Sequence, residues 1–369
     1  MTITVSKSEL LQRLQAVARL IPQKPSIPII GYFLFEAKNG QLIITGMNDE
    51  GRATTEIDCK IEGDVSICVS TTIMDGLKNI PEQPIMIDID ESMNIHVRYQ
   101  GGRFDLVGLA PTTYPQRIAI DPIGEINMEA HDFYDGLSKV INLAATGDLR
   151  PIISSVFVEA NPDAIHFVAT DGHGMGFLKY PTTGERISVV ISRSISSFLK
   201  NILPNRNGEI EIRIGTERTE IQSGDLFLSF RHIEGKYPNW RSVIPAGNTL
   251  VMTADTKQLI GAIKRTLVFS DKASSLLVLN IKNKKLTVKA QDVYWSTSAE
   301  ESVDIEFNGD NFDIGLNGAL TLEIMSNIDS DRVMFSFSDP SKAVLVKPES
   351  KDNKGRELTY LIMPMTINY

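Results

Sequence analysis

Apolar and polar residues alternate along much of this chain with the period of half-buried strands. PIIGYFLFEA, QLIITGM, PIMIDID, NIHVRY and RFDLVGL read this way in the first third, and EIEIRI, TEIQS and DLFLSF in the second. A minority of segments space their apolar residues as a helix does. SKSELLQRLQAVARL from Ser6, AHDFYDGLSKVINLA from Ala130 and DTKQLIGAIKRTLVF from Asp255 come early in each third, and STTIMDGLKNI from Ser70, SRSISSFLKNI from Ser192 and NGALTLEIMSNI from Asn317 come later. Between them one phrase recurs, an apolar strand ending in an acidic turn: QLIITGMND at Gln41 to Asp49, AIHFVATDG at Ala164 to Gly172, and KLTVKAQDV at Lys285 to Val293.

If Asp49, Asp171 and Asp292 are equivalent, the repeats are 122 and 121 residues long, about one domain each and too long for a solenoid. Each reads as an α+β domain, with antiparallel sheets covered on one face by two helices. Proline and glycine cluster from Tyr114-Pro115 to Asp121-Pro122-Ile123-Gly124 and again at Ile244-Pro245-Ala246-Gly247, which predicts domains over 1–122, 123–246 and 247–369. Tight turns are expected at Asn39-Gly40, Gly101-Gly102, Asp163 and Gly224-Asp225, and the polar stretch KPESKDNKGREL at 347–358 reads as an exposed hairpin loop.

With 42% hydrophobic residues in 369, the chain can bury about three ordinary cores. Cys59 and Cys68 lack C-x-x-C spacing and read as buried or half-buried thiols. The N-terminus has no basic region followed by an apolar one, and no run approaches the roughly 18 apolar residues of a membrane span, so a cytoplasmic protein is expected.

The net charge of −9 argues against a polyanionic partner on average. The charges are segregated, however. The helical segments carry Lys7, Arg13, Arg19, Lys139, Arg193, Lys200, Lys257, Lys264 and Arg265, whereas carboxylates concentrate in strand segments such as DIDES and SAEESVDIE. Residue pattern alone leaves two readings open: the solvated face of ordinary amphipathic helices, or a basic surface hidden in an acidic protein.

ATDGHGMGF, from Ala169 to Phe177, is the most enzyme-like segment, because Asp171 and His173 could form an acid–base pair or half a metal site of a hydrolase. An Asp-Gly hairpin turn explains it without catalysis, and the corresponding places in the other repeats have no histidine. His96, His131, His166 and His232 are isolated, and no nucleophile elbow, phosphate loop or dinucleotide fingerprint is present. A scaffold or binding role is favoured. Two segments read as a binding surface or as plain structure: HIEGKYPNWRSVIP, from His232 to Pro245, as a groove wall or a packed interdomain connector, and the terminal LTYLIMPMTINY as an adaptable apolar surface through Met363 and Met365 or as a buried final strand.

ATDGH at 169–173, EGKYPNWRSVIP at 234–245, KPSIPII at 24–30 and MPM at 363–365 together resemble the bacterial DNA polymerase III beta subunits, the replication sliding clamps, and with the threefold repeat the resemblance covers residues 1–369. It implies a non-catalytic processivity factor without cofactor or metal, built as a head-to-tail homodimeric ring. The paired helices would line a central hole holding double-stranded DNA, with the sheets outside. Basic helix faces then become expected, and an unrelated tandem scaffold would leave them unexplained.

The resemblance further implies a hydrophobic cleft between the second and third domains. It would receive peptide motifs of the replicative polymerase alpha subunit, the clamp loader delta subunit and repair proteins. Carried over by motif, the cleft comprises Ile153, Thr170, Gly172, His173, Gly174, Met175, Pro238, Val243, Ala343, Leu361, Ile362, Met363, Pro364 and Met365. Gly174 stands where the family commonly has Arg, which implies a wider pocket mouth, and Ile367 takes the place of the last apolar residue with Asn368 and Tyr369 beyond it. Non-specific DNA contact is expected from Lys24, Arg13, Lys78, Lys139, Arg150, Arg193, Lys200 and Lys264. The ring contact would join Leu109 of one chain to Val268 and Phe269 of the other, with Glu300 and Glu301 facing basic residues of the partner and the chain's last strand remote from it.

Overall fold

The computed structural model describes residues 1–147, 150–182, 184–350 and 355–367. Among them the six helical segments fold as α1 (Lys7–Ala18), α2 (Thr72–Lys78), α3 (Ala130–Val140), α4 (Arg193–Ile202), α5 (Thr256–Leu267) and α6 (Gly318–Ser326). The longer starts are set by polar caps. Side-chain oxygens of Ser6, Asp255 and Asn317 accept from the amides of Glu9, Gln258 and Leu320, replacing the partners that a first helical turn lacks. Leu10, Leu14 and Val17 of α1 are fully buried, as their i, i+4, i+7 spacing requires.

The chain gathers into two compact units, and the boundary runs through the second repeat. One unit comprises Met1–Tyr134 and Ser194–His232. Its eight-stranded sheet runs in the order Gly124–Glu129, Glu209–Ile214, Arg218–Ser223, Leu226–Arg231, Gly51–Asp58, Gln41–Met47, Tyr32–Lys38 and Val65–Ser70, and a five-stranded sheet completes the unit. The other comprises Asp135–Arg193 and Ile233–Tyr369, and is built on a twelve-stranded sheet.

The sheets run on from one repeat into the next. In the first unit, strand Leu226–Arg231 of the second repeat pairs with Gly51–Asp58 of the first. In the other unit, Gly174–Pro181 of the second repeat pairs with Glu357–Ile362 of the third. An edge strand carries unpaired N–H and C=O groups, and these junctions satisfy them. Helix packing on the sheets needs one glycine in particular: a Cβ on Gly46 would lie 2.6 Å from the Val17 carbonyl oxygen of α1.

Asn39 (φ 52°) and Gly40 (φ 82°) form the expected hairpin turn. Strands Val344–Pro348 and Glu357–Ile362 take up both ends of the segment read as a loop, and its centre, residues 351–354, lies outside the described residues, as do Asn368 and Tyr369. Cys59 is half-buried and Cys68 buried, both as free thiols. Burial pushes the Cys68 thiol up to about 11, with Glu36 adding to the shift. Among the described residues no helix is long and apolar enough to cross a membrane.

Candidate functional site

Strand Ala164–Thr170 turns back into Gly174–Pro181 through a tight turn. The Asp171 carboxylate accepts the amides of His173 at 2.8 Å and Gly174 at 2.7 Å through a single oxygen, while Gly172 takes φ 90°, open to glycine at little cost. Asp171 is thus a turn builder, and His173 is carried on its exposed tip. The last strand is tied to this turn: the Met363 amide donates to the His173 carbonyl oxygen at 2.9 Å.

Register then decides which side chains share a face. Thr170, Met175, Leu361 and Leu345 stand opposite one another across successive strands, and Val190, Phe157, Val168 and Phe177 form a second such row. Over this face packs the connector after the second repeat. The Phe157 and Tyr237 rings stack with centroids 4.7 Å apart, and Phe177 meets Trp240 at 5.2 Å. Met175, Tyr237, Trp240, Ala343, Leu345 and Leu361 are buried in one cluster. In the same two segments two apolar side chains remain in solvent, Val243 at 53% and Met363 at 44% exposure. Ile153 is buried, Pro238 exposed, and Pro364 and Met365 half-buried.

The same register corrects two expectations. Gly174 pairs with Ile362, so both lie on the opposite face from Met175 and Leu361. A Cβ on Gly174 would meet Leu320 of α6 at 2.9 Å, so the absent side chain makes room for a helix and does not widen a pocket mouth. Tyr237 and Trp240, in the segment open to reading as a packed connector or a groove wall, are buried in the cluster, whereas Leu345 was not expected there although counting by two from Leu361 and its neighbours separates the faces.

A third correction concerns the chain's end. The Met365 amide donates to the Gly315 carbonyl oxygen at 2.8 Å, and Ile367 lines a cavity of about 760 Å³ shared with Asp271 and Glu300. The end of the chain therefore reaches the surface assigned to the ring contact.

The basic residues divide sharply. Lys139 is spent on the Asn327 carbonyl oxygen, 2.7 Å away, and on Asp329. Arg193 donates to the carbonyl oxygens of Ile141 at 3.2 Å and Ala144 at 2.6 Å, closing the end of α3. Both are structural, which corrects their assignment to DNA. Arg13 pairs with Asp225 and Lys78 with Asp75. Arg150 is exposed. Lys24 and Lys264 are exposed, Lys200 is half-buried, and none of these three has an ion pair among the described residues.

At the expected ring contact Leu109, Val268 and Phe269 are exposed. Glu301 is held by Arg265 through bonds of 2.8 and 2.5 Å, and Glu300 lies 3.5 Å from Lys289, so both carboxylates have partners within the chain.

A threefold α+β repeat with a built apolar surface at its last strand, and a turn whose carboxylate is consumed by backbone amides, defines a tandem-domain binding protein. Three sequence families match it in tandem: the DNA polymerase III beta subunit N-terminal domain over residues 1–118, the central domain over 128–239 and the C-terminal domain over 241–366. The chain belongs to the DNA polymerase III beta subunit family, and it is a DNA replication protein of the sliding-clamp type and not an enzyme. It is 27% identical over 379 residues to the beta sliding clamp of Pseudomonas aeruginosa, with 100% of each chain covered, and 22% identical over 396 residues to that of Synechocystis sp., again over 100% of both. The solved structure of the Pseudomonas aeruginosa sliding clamp bound to griselimycin superposes with a TM-score of 0.94 at 25% identity over 100% of both chains. The DNA polymerase III beta subunit of Thermotoga maritima, at 18% identity, 100% coverage of both and a TM-score of 0.93, shares the fold.

Proposed function

We propose that two copies of this chain close head to tail into a ring that encircles duplex DNA in the cytoplasm and tethers the replicative polymerase, with domains over residues 1–122, 123–246 and 247–369. Two identical heterologous contacts around one twofold axis leave no free end. Leu109 on one side and Val268 with Phe269 on the other supply the apolar part of each contact, and their exposure in the single chain supports that assignment. A ring holds DNA topologically, so weak phosphate contacts suffice, and Lys24, Lys200 and Lys264 have the free ammonium groups for them.

Partner docking rests on one observation: the segments that bury the Met175–Leu361 rung together with Tyr237 and Trp240 leave Val243 and Met363 exposed. Rigid buried rings and a flexible exposed methionine suit a short segment of polymerase alpha subunit, clamp loader delta subunit or repair protein that inserts Leu or Phe. Apolar burial at roughly 25 cal/mol per Å2, offset by ordering of the peptide, places the affinity in the micromolar range. The deciding experiment sizes the purified protein and compares its retention on circular and linear DNA. A dimer retained on circles and lost from linear ends is expected, and equal retention on both would overturn the ring.

A further inference from the structure

The turn that carries His173 has a counterpart in the first repeat, one residue away from where the aspartates alone would align it. Asn48 Oδ1 accepts the amides of Glu50 at 2.9 Å and Gly51 at 2.8 Å, as Asp171 does those of His173 and Gly174. The Arg231 amide donates to the Glu50 carbonyl oxygen at 2.9 Å, as the Met363 amide does to His173 at the same distance. Gly51 pairs with Phe230 as Gly174 pairs with Ile362, and buried Tyr114 followed by Pro115 matches buried Tyr237 followed by Pro238. By these bonds Asn48, and not Asp49, is the equivalent of Asp171. Arg52 stands for Met175, Ser229 for Leu361, Arg231 for Met363 and, two residues beyond the proline, Arg117 for Trp240. The scaffold of the peptide surface is repeated, and its apolar positions are recoded mainly as arginine.

These arginines line a cavity of about 240 Å³ together with Arg218 and the apolar Ile27, Ile30, Met47 and Ile118. Carboxylates reach part of it, since Arg52 lies 3.8 Å from Glu36. Asp49 and Glu50 line it together with the four arginines, and the Asp49 carboxylate accepts from the Ser26 hydroxyl. Buried Glu220 is engaged by Arg117 at 2.9 Å and Arg213 at 3.7 Å. Arg218 and Arg231 stand directly opposite each other across the strand pair, and neither has an ion pair among the described residues. Like charges in that position repel. Burial first, and Arg231 next, hold the Arg218 guanidinium below its ordinary value, with Glu220 opposing. Two facing guanidiniums with no ion pair of their own among the described residues, Arg231 exposed, are a place for an anion from outside.

We infer that this cavity is a second docking site, taking an acidic segment of a partner protein with carboxylates on Arg218 and Arg231 and an apolar anchor against Ile27, Ile30 and Ile118. A Cβ on Gly51 would meet Ile195 of α4 at 2.8 Å, so Arg52, the next residue, faces away from that helix. Peptide rather than nucleic acid follows from this orientation, and that step rests on the reading above in which the helices face DNA.

The test titrates the full-length protein with a short fluorescent peptide of Glu and Asp around one Leu. Salt-sensitive binding is expected, weakened roughly tenfold or more in Arg231→Glu and unchanged in Met363→Asp. Arg231→Glu puts an opposite charge beside Arg218, so its thermal midpoint should hold or rise, which separates lost binding from lost folding. Absence of binding at millimolar peptide, or equal binding by Arg231→Glu, would overturn the site. So would unchanged peptide binding with reduced DNA retention in that variant, since the cavity would then take phosphate. If the wild type is not retained on circular DNA but binds the acidic peptide with the Arg231 dependence intact, the ring reading fails and this site stands.

Discussion

The Met363 amide and the His173 carbonyl oxygen are joined by a 2.9 Å hydrogen bond that fixes the chain's last strand to a tight turn of the second repeat. The bond uses only backbone, which leaves the Met363 side chain exposed. Met363→Asp should therefore cost stability no more than about 0.5 kcal/mol, as exposed substitutions do. It should weaken a fluorescent clamp-binding peptide by roughly tenfold or more, since a carboxylate would have to be desolvated against Met175 and Leu361. Unchanged affinity in a titration of the variant would remove this surface from consideration. The point substitution is a cleaner test than removing residues 363–369, because Ile367 reaches the cavity beside Glu300.

The turn itself gives a second prediction. Asp171→Asn preserves an acceptor oxygen, and Asn48 already performs the same task, so urea unfolding should be nearly unchanged. Asp171→Ala abandons two amides and should cost about 1–2 kcal/mol. A large loss in the Asn variant would mean that the charge, not the oxygen, holds the turn.

How much of this was legible beforehand differs by element. All six helices were readable from apolar spacing, and in three of them a polar cap agrees with it, at Ser6, Asp255 and Asn317. The joining of repeats into continuous sheets was not, because nothing in the period-two pattern of LTYLIM names the strand it will pair with. Of the expected surface, Met175, Ala343 and Leu361 share the apolar cluster, while Gly174 and Ile362 turned to the helices because a motif match carries no information about faces. Lys139 and Arg193 look like the free cations Lys24 and Lys264 in sequence. Only the fold shows carbonyl oxygens waiting for the first two.

The free cations carry a quantitative prediction. Replacing Lys24, Lys200 and Lys264 with Gln should reduce the salt dependence of DNA retention by up to about 0.9 in log–log slope for each phosphate no longer neutralised, equally across DNA sequences. Lys139→Gln should instead lower the unfolding midpoint, because the Asn327 carbonyl oxygen and Asp329 lose their partner. Retention that depends on Lys139 and not on the other three would reverse the assignment.

Val268 and Phe269 are 64% and 42% exposed, a costly arrangement in a free chain unless another surface covers them. Val268→Ala with Phe269→Lys should leave the fold intact and yield monomers in sedimentation, since an unpaired charge buried at an interface costs about 3–5 kcal/mol. A dimer of unchanged affinity would place the ring contact elsewhere.

Two histidines make stability sensitive to mild acid. His166 lies 5.4 Å from the Trp240 ring. Burial and then Arg241 and Lys179 lower its pKa below the ordinary 6.5, against weaker opposition from Glu159 and Asp163. His232, with Nε2 2.8 Å from the Thr219 hydroxyl, is lowered chiefly by burial and further by Arg218, although backbone hydrogen bonds with Thr216 and Arg218 oppose the shift. Both rings are therefore neutral in the fold over a range where an unfolded chain would charge them. Their contribution is fully present above 6.5 and is lost as pH falls through the folded values, because the unfolded state then binds more protons. Stability measured by urea should decline as pH falls below about 6.5, by well under about 1.4 kcal/mol per pH unit for each histidine. His166→Gln with His232→Gln should flatten that decline. A slope that persists undiminished in the double variant would assign it to other groups.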